Sequence, residues 1–173
     1  DHATVKNLLF EGRQVVGSRV RLPDGDVEIR GKEVIICAGA LQSPTMLLRS
    51  GIGPADELSA LGINVVADRP GVGKHLMEHP GVNFGSYMKP GSRLTPGLRR
   101  QMLAGLRWSS GLEGIPKGDM YLVPTNKAAW HDIGSRLGLM MIWVNRSYST
   151  GEVKLKSPHP AIRPDVDFDM CSD

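Results

Sequence analysis

The sequence predicts an α+β fold in two parts. A mixed part with a β-meander, a buried strand and short helices comes first, and an antiparallel sheet follows. Three β-rich runs lie within residues 4–30, a continuous apolar run spans 34–38, and further strand candidates recur within 82–156. Alternating polarity is typical of half-buried strands, and a continuous apolar run is typical of a strand covered on both faces. The 21 glycines and 12 prolines favour many turns over a helical bundle.

The composition is that of an ordinary globular protein. Apolar residues make up 40% of the chain and charged residues 23%, close to the usual averages. The net charge of +3 is too small to indicate a nucleic acid or an anionic membrane as partner. One basic cluster, between Lys89 and Arg107, contains no acidic or aromatic residue. It fits either an anionic partner or a solvated helix face, and the missing aromatic residues favour the helix face.

Cysteine use and targeting signals bear on the cellular location. Cys37 lies in the apolar run and Cys171 near the end, so neither a disulfide framework nor a paired-cysteine metal site is expected. No signal peptide begins the sequence, and no apolar run approaches the ~18 residues that cross a bilayer. We therefore expect a cytoplasmic protein without a membrane span. The start within a strand-like run indicates a longer parent chain.

The predicted meander consists of strands at residues 4–10, 14–22 and 27–30. Turn-forming residues at 11–13 and 23–26 separate these runs, which is typical of hairpins. The second run alternates valines with arginines, so one face of the meander should be buried.

Residues 34–38 predict a strand buried in a parallel sheet. A short helix should follow, with Ser43 as its N-cap, Pro44 in its first turn and Gly51 as a left-handed residue at its end.

A second short helix is predicted to start at Pro54 and to end at Gly62. Asp56 and Glu57 fall in its first turn, where the helix dipole favours carboxylates. Residues 63–67 predict another strand.

A break at residues 70–73 divides the chain into two predicted domains, 1–73 and 74–173. In the second domain, residues 82–88 should be extended, and a helix should open at Thr95 and Pro96. Its apolar stripe is formed by Leu98, Met102, Leu103 and Leu106. Strand candidates at 120–123, 139–144 and 152–156 predict an antiparallel sheet with this helix on one face.

The best ligand candidate is the end of the buried strand, at Ala38, Gly39 and Ala40. Ligands of open α/β sheets bind beyond the carboxyl ends of the strands, and very small side chains let a nucleotide approach the main chain. The residues themselves leave a second interpretation open, because small side chains also let a helix pack closely on a strand.

Two patterns suggest metal sites. Residues 75–79 spell H-x-x-E-H, an inverted zinc-protease motif that requires a helix. Glycines before it and Pro80 and Gly81 after it favour a loop at a domain junction. Asp165, Asp167 and Asp169 alternate, which fits either a hard-cation site or a solvated strand face, and the solvated face is the commoner outcome.

The run GALQSPTMLLRSGIG at 39–53 resembles the second signature of the glucose-methanol-choline (GMC) oxidoreductases. The match lies in its small residues, proline and glycines at fixed spacing. Further blocks at 4–17, 51–73 and 149–167 are similar to family segments in the same order. Choline dehydrogenase and related alcohol dehydrogenases are the most similar subgroup.

The resemblance implies a partial Rossmann-like FAD-binding domain at 1–73, joined to part of an antiparallel substrate domain at 74–173. It implies FAD as cofactor, a small alcohol as substrate and hydride transfer to the flavin. Val5 matches the valine whose main chain meets the flavin adenine, and Ala38 and Gly39 are the other expected cofactor contacts. The family's diphosphate-binding glycine loop and catalytic histidine match no position here. We therefore expect an interior fragment that is inactive alone, without catalytic or metal-binding residues of its own.

Two departures from the family pattern leave the substrate open. His75 begins HLMEH where the family usually has NLQDH, and residues 169–171 read DMC in place of NYL. The alternative to an enzyme fragment is a non-catalytic remnant or a protein-binding module on the same scaffold. Strand edges without neighbours predict self-association in either case.

Overall fold

The computed structural model describes residues 2–95, 97, 100–102 and 104–172. Two α-helices lie in this part of the chain, α1 (Gly39–Arg49) and α2 (Ala55–Ala60). In chain order, its strands are β1 (Thr4–Glu11), β2 (Gln14–Leu22), β3 (Gly25–Arg30), β4 (Ile52–Gly53), β5 (Ala67–Asp68), β6 (Lys74–Leu76), β7 (Gly81–Tyr87), β8 (Leu106–Trp108), β9 (Met120–Thr125), β10 (Leu137–Val144), β11 (Gly151–Lys154) and β12 (Asp165–Asp167). The predicted α+β class is confirmed.

The chain forms two compact units. The first unit comprises Asp1–Met77 and Ser149–Ser172, and the second comprises Glu78–Tyr148. The first unit contains both helices and is completed by β11 and β12, which return from the end of the chain. The second unit contains the sheet formed by β7 to β10.

The predicted meander is confirmed, because β1, β2 and β3 form an antiparallel sheet in that order. Val20 lies opposite Val5 on one side and Val27 on the other, and its side chain is buried. Neighbouring positions along a strand face opposite ways. Arg19 and Glu28 accordingly form an ion pair on the exposed face, with 2.8 Å between Nη2 and Oε1.

The strand predicted at residues 34–38 is not formed. These residues make no strand hydrogen bonds, Ile35 is 77% exposed, and Cys37 is exposed as well. A central parallel strand requires a hydrogen-bonding neighbour on each side, and none of the strands of the described residues pairs with this run. Residues 34–38 therefore have the composition of a buried strand, but none of the described strands supplies the hydrogen bonds that such a strand needs.

Helix α1 begins at Gly39, before the predicted N-cap. Ser43 lies inside the helix, and its Oγ accepts a hydrogen bond from the N–H of Ala38 at 3.1 Å. The Ser43 hydroxyl therefore binds a main-chain group that precedes the helix. The N-cap is Ala38, so the prediction of Ser43 as N-cap is wrong. Gly51 has a φ of +83° directly after the C-cap Ser50, as predicted.

Helix α2 follows Pro54, carries Asp56 and Glu57 in its first turn, and precedes a left-handed Gly62 with φ +69°. These features confirm the predicted second helix. The strand predicted at 63–67 is shorter than expected, because only β5 at its end forms a ladder, in parallel with β4.

The predicted strand at 152–156 corresponds to β11, but its partners differ from the prediction. It pairs with β12 and β6 in the first unit and not with β9 or β10. Val153 is buried there, and its N–H donates to the carbonyl oxygen of Gly73 at 2.6 Å. Local alternation predicted the strand, whereas its neighbours are set by distant residues.

The second unit is an antiparallel sheet in the order β7, β10, β9, β8. The helix predicted from Thr95 is wrong where it can be assessed. Leu106 lies in β8, and Met102 forms an isolated antiparallel bridge with Thr125. Gly97 and Gly105 in this stretch disfavour a helix and outweigh the apolar spacing.

Four residues of that predicted helix, at positions 96, 98, 99 and 103, lie outside the described residues. Arg107, the last member of the basic cluster, lies in β8 and not on a helix face. Within the described residues, no helix has the length and apolar character needed to cross a membrane.

Candidate functional site

The start of α1 is an open corner of the first unit. Ala38 and Gly39 are exposed. The N–H of Ala38 donates to Ser43 Oγ, but Ala38, as N-cap, makes no side-chain bond to the first amides of the helix. Gly39 has a φ of +80°, and a Cβ built there would meet no atom within 4 Å. The main chain at this corner is therefore accessible to a ligand, and its amides lie where an anion or a polar oxygen is favoured.

Val5 lies in β1, which is an edge strand of the meander. Its side chain is 37% exposed, and the strand register shifts between Val5 and Asn7, so Lys6 is an extra, bulged residue. Bulges leave main-chain groups unpaired at a strand edge. A main-chain contact at Val5 is therefore sterically and chemically feasible.

Helix α1 connects the corner at Ala38 and Gly39 with the strand that contains Val5. Its last turn is attached to β1, because the N–H of Leu8 donates to Ser50 Oγ at 2.9 Å and Arg49 Nε donates to the carbonyl of Lys6 at 3.1 Å. Ala38 and Gly39 lie at its other end. The helix has 11 residues, which corresponds to a length of about 16 Å.

A cavity of about 280 Å³ adjoins the start of α1. It is lined by Ala40 and Pro44 of the helix, by residues 73–77 and by Val153. A second cavity of about 440 Å³ shares Lys74 and His75 with the first. Its remaining lining residues are Thr150, Gly151, Glu152, Asp167 and Asp169.

Lys74 anchors β6 between two carboxylates. Its Nζ lies 2.8 Å from Glu57 Oε1 and 2.7 Å from Glu152 Oε2. Partial burial opposes the charge of the ammonium, but the hydrogen bonds to Glu152 and Glu57 outweigh it and raise the pKa of Lys74. Hydrogen bonds from Lys154 and Lys74 lower the pKa of Glu152. Lys74 is therefore charged at neutral pH, and its ammonium is engaged in two ion pairs within the fold.

His75 has a left-handed backbone, with φ +58°. Asparagine and histidine are among the few residue types that adopt this conformation readily. The conformation explains why histidine can stand where the GMC pattern has asparagine. The departure noted in the sequence is therefore compatible with this left-handed backbone.

The H-x-x-E-H segment does not form the helix that an inverted zinc motif needs. Its first residues belong to strand β6. His79 Nδ1 lies 2.9 Å from the carbonyl oxygen of Val144, to which it donates. This is the structural loop histidine of the alternative interpretation.

The three alternating aspartates do not share one strand face. Asp165 and Asp167 belong to β12, whereas Asp169 follows it with φ +47°. Asp165 pairs with Lys156 at 3.0 Å, and Asp167 Oδ1 accepts the N–H of Asp169 at 2.9 Å. In the described part of the chain, no three His, Cys, Asp or Glu residues are grouped as metal ligands.

Sequence reasoning did not identify Lys74 as the residue that links two elements by ion pairs, nor His75 as a residue beside the start of α1. Nothing in the local pattern indicated that Lys74 would join α2 to β11, because both partners are distant in sequence. A signal for His75 was present, since it replaces the asparagine of the family pattern.

Comparison with known proteins shows which family the sequence resembles. Residues 1–81 match the family model described as GMC oxidoreductase. A 5-(hydroxymethyl)furfural oxidase of Methylovorus sp. (strain MP688) is 41% identical over 98% of this chain and 32% of its own length. An oxygen-dependent choline dehydrogenase of Pseudomonas savastanoi pv. phaseolicola is 31% identical over 99% of this chain and 35% of its own length.

Solved structures show the same fold. A formate oxidase superposes with a TM-score of 0.86 at 21% identity, over 99% of this chain and 39% of that one. A pyridoxine 4-oxidase from Mesorbium loti superposes with a TM-score of 0.80 at 23% identity, over 96% of this chain and 34% of that one.

The family match identifies residues 1–81 with a family of FAD-dependent oxidoreductases, and the solved structures share the fold of this chain. Through residues 1–81, the chain belongs to the GMC oxidoreductase family. It spans about a third of the length of the curated relatives that it matches.

Proposed function

We propose that this chain is a section of a FAD-dependent oxidoreductase that oxidises a small alcohol to an aldehyde. Val5, Ala38 and Gly39 would contact the cofactor through their main chains. The observation that carries the proposal is the open corner at Gly39, where a dinucleotide could lie against bare backbone. FAD supplies the hydride acceptor when it is bound.

The residues of the corner fit such a ligand. The exposed Ala38 and Gly39 let a sugar approach closely, and the uncapped start of α1 favours an oxygen of a phosphate or a hydroxyl. The exposed edge strand at Val5 leaves its outer side accessible to a base. None of these residues moves a proton, and we assign no catalytic residue within this chain.

We also propose that residues 1–73 serve the cofactor and residues 74–173 the substrate. The compact units follow a different division, because residues 74–77 and 149–172 pack with the first unit. In this proposal, the sheet of β7 to β10 contacts the substrate, and β11 and β12 belong to the substrate part of the sequence although they pack in the first unit.

A second candidate function is a non-catalytic module that binds another chain through its exposed apolar run. The 77% exposure of Ile35 favours this candidate. An unpaired run of this kind also predicts self-association of the isolated chain. Light scattering should detect species larger than the monomer, and a monodisperse monomer would contradict self-association.

The reading frame around this chain separates the two candidates. The enzyme proposal expects G-x-G-x-x-G upstream and a block with a catalytic histidine downstream. The protein expressed from that frame should be yellow, and small alcohols should bleach its flavin absorbance under anaerobic conditions. A colourless protein, or stop codons at both ends of this chain, would support the module instead.

A substitution tests the cofactor corner directly. Ala38→Leu should weaken FAD binding by the protein from the extended frame by tenfold or more, since a branched side chain blocks the main chain, a loss of about 1.4 kcal/mol. Ala60→Leu, at an exposed position of α2, is the matched control and should leave FAD affinity unchanged. Fluorescence titration of the apoprotein with FAD measures both, and equal affinities would remove Ala38 from the site.

A further inference from the structure

His75 combines a constrained backbone with an unused side chain. Its φ of +58° is an unusual conformation for a residue other than glycine, and such conformations persist only where the surrounding structure imposes them. Among the described residues, no hydrogen bond or ion pair engages its imidazole. The backbone thus fixes the direction in which the His75 side chain leaves the main chain, and the exposed imidazole is available to a ligand.

Two cavities adjoin His75, and their lining residues indicate which ligand the imidazole could contact. The cavity of about 280 Å³ has Ala40 and Pro44 on one wall and His75 with its neighbours on the other. Ala40 directly follows Gly39, so this cavity continues the open corner at the start of α1. Its other polar lining side chain, Lys74, already pairs with two carboxylates.

Pro44 lies in α1 beside this cavity and, as a proline, has no N–H to offer to a ligand. Lys74 is engaged with two carboxylates. The imidazole of His75 is therefore the polar side chain of this lining that can donate a hydrogen bond to a ligand oxygen.

The second cavity at His75 is a poor place for an anion. Glu152, Asp167 and Asp169 line it, and their carboxylates repel phosphate oxygens. The smaller, less acidic cavity beside α1 is therefore the side on which a dinucleotide would meet His75.

We propose that His75 is a cofactor-positioning residue, whose imidazole N–H donates a hydrogen bond to an oxygen of bound FAD beside the start of α1. This inference rests on the proposed function. It assigns to the side chain of His75 a role beyond the main-chain contacts of Val5, Ala38 and Gly39.

The test compares three variants of the protein expressed from the extended reading frame. His75→Gly keeps the left-handed backbone and removes the ring, and His75→Asn keeps the backbone and a hydrogen-bond donor. His159→Asn is the control, since His159 is an exposed loop histidine whose Nδ1 accepts only the N–H of Ala161. FAD dissociation constants are measured by fluorescence titration, and thermal unfolding of each apoprotein is measured in parallel.

We expect His75→Gly to raise the FAD dissociation constant about tenfold, the effect of one lost hydrogen bond. His75→Asn should remain within about threefold of the wild type, a difference under one hydrogen bond, and His159→Asn should equal it. Apoprotein unfolding should not fall in His75→Gly, because glycine tolerates a positive φ.

Equal FAD affinity of His75→Gly and the wild type would overturn the inference. So would a loss of affinity in His75→Asn as large as in His75→Gly, because a donor would then make no difference. A wild-type protein that does not bind FAD at all would instead overturn the proposed function, so the two failures are distinguishable.

Discussion

The two units differ in how they bury apolar side chains. In the described residues, the first unit buries Leu8, Val20, Met46, Leu48, Leu58 and Val153, and the second unit buries Val123. In the first unit, α1 packs against β1, β4 and β11. The described residues of the second unit form a single sheet with two short 3-10 helices and no α-helix.

Both faces of the second sheet are consequently half open. Val82, Ile142, Leu122 and Leu106 lie opposite one another across the four strands, so they share one face. Val82 is 60% exposed and Leu106 58%. An apolar sheet face of this kind is typical of a surface that another layer covers.

The same chain thus contains a first unit stabilised by a buried apolar core and a second unit stabilised mainly by the backbone hydrogen bonds between its strands. The buried groups of the second unit are largely polar, among them Asp119, Thr125 and Lys127. Desolvation lowers the pKa of Lys127, whose ammonium lies over the ring of Trp130. We expect core substitutions to affect the two units very differently.

The largest expected effect is that of Leu48→Ala. Leu48 is 2% exposed in the first unit, so the cavity and the lost transfer energy should lower the free energy of unfolding by about 3 kcal/mol. Met140→Ala, at a half-exposed position of the second sheet, should cost less than about 1 kcal/mol. Urea unfolding followed by amide hydrogen exchange in β1 and β2, and in β9 and β10, measures both.

The three tryptophans, Trp108, Trp130 and Trp143, all lie in the second unit. Their fluorescence therefore reports the unfolding of that unit specifically. Equal losses for Leu48→Ala and Met140→Ala would show that the second sheet has a core as tight as the first unit's, contrary to the comparison.

A smaller difference is expected from glycine substitutions. Gly51 has φ +83°, and an added Cβ would clash with the carbonyl oxygen of Asn64. Gly51→Ala should therefore destabilise the first unit by about 2 kcal/mol or more, since a left-handed residue with a Cβ alone costs 1–2 kcal/mol.

Gly85→Ala in β7 is the matched substitution in the second unit. Its added Cβ would meet only Leu139 at 3.6 Å, an ordinary contact. The free energy of unfolding should change by no more than about 0.5 kcal/mol. A larger loss of unfolding free energy for Gly85→Ala than for Gly51→Ala in urea unfolding would contradict the view that the first unit is the more tightly packed one.

The smallest expected effect concerns acid. Hydrogen bonds from Arg21 and Lys6 hold the pKa of Asp26, on the meander of the first unit, far below its usual range. A lowered carboxylate pKa adds stability above the unfolded pKa of about 3.9, and that stability is lost as the pH falls. Asp26→Asn should therefore lower the urea midpoint at pH 7, and this difference from the wild type should shrink progressively as the pH falls below about 4.

Salt provides the control for the acid prediction. The Asp26 pairs are solvent-exposed, so 1 M NaCl at pH 7 should reduce the difference between Asp26→Asn and the wild type. A difference that is independent of both pH and salt would assign the effect to side-chain packing instead of charge.

The sequence predicted the features whose causes are local. Turn residues and alternation gave the meander, β7 and β9 to β11, and a glycine after each helix marked its end because only glycine adopts the left-handed conformation without strain. The resemblance at 39–53 also pointed to Ala38 and Gly39 as cofactor contacts. Their open geometry supports this assignment, which stays a proposal.

The failures have causes that lie far away in the chain. Residues 34–38 have the composition of a buried strand, but none of the described strands supplies their hydrogen bonds. The stripe ending at Leu106 has helical spacing, yet pairing with Leu122 in β9 places that residue in a strand. Lys74 could not be found as an anchor because its two partners come from α2 and β11.

The sequence by itself determined the turns, the helix ends, the family and the small residues at Gly39, since each depends on a few adjacent side chains and their backbone preferences. Only the tertiary structure decided which strands pair, where α1 begins, and that the His75 imidazole is left uncommitted beside α1. The physical reason is that strand pairing and cavity shape depend on hydrogen bonds and packing between residues distant in sequence, which no local pattern encodes.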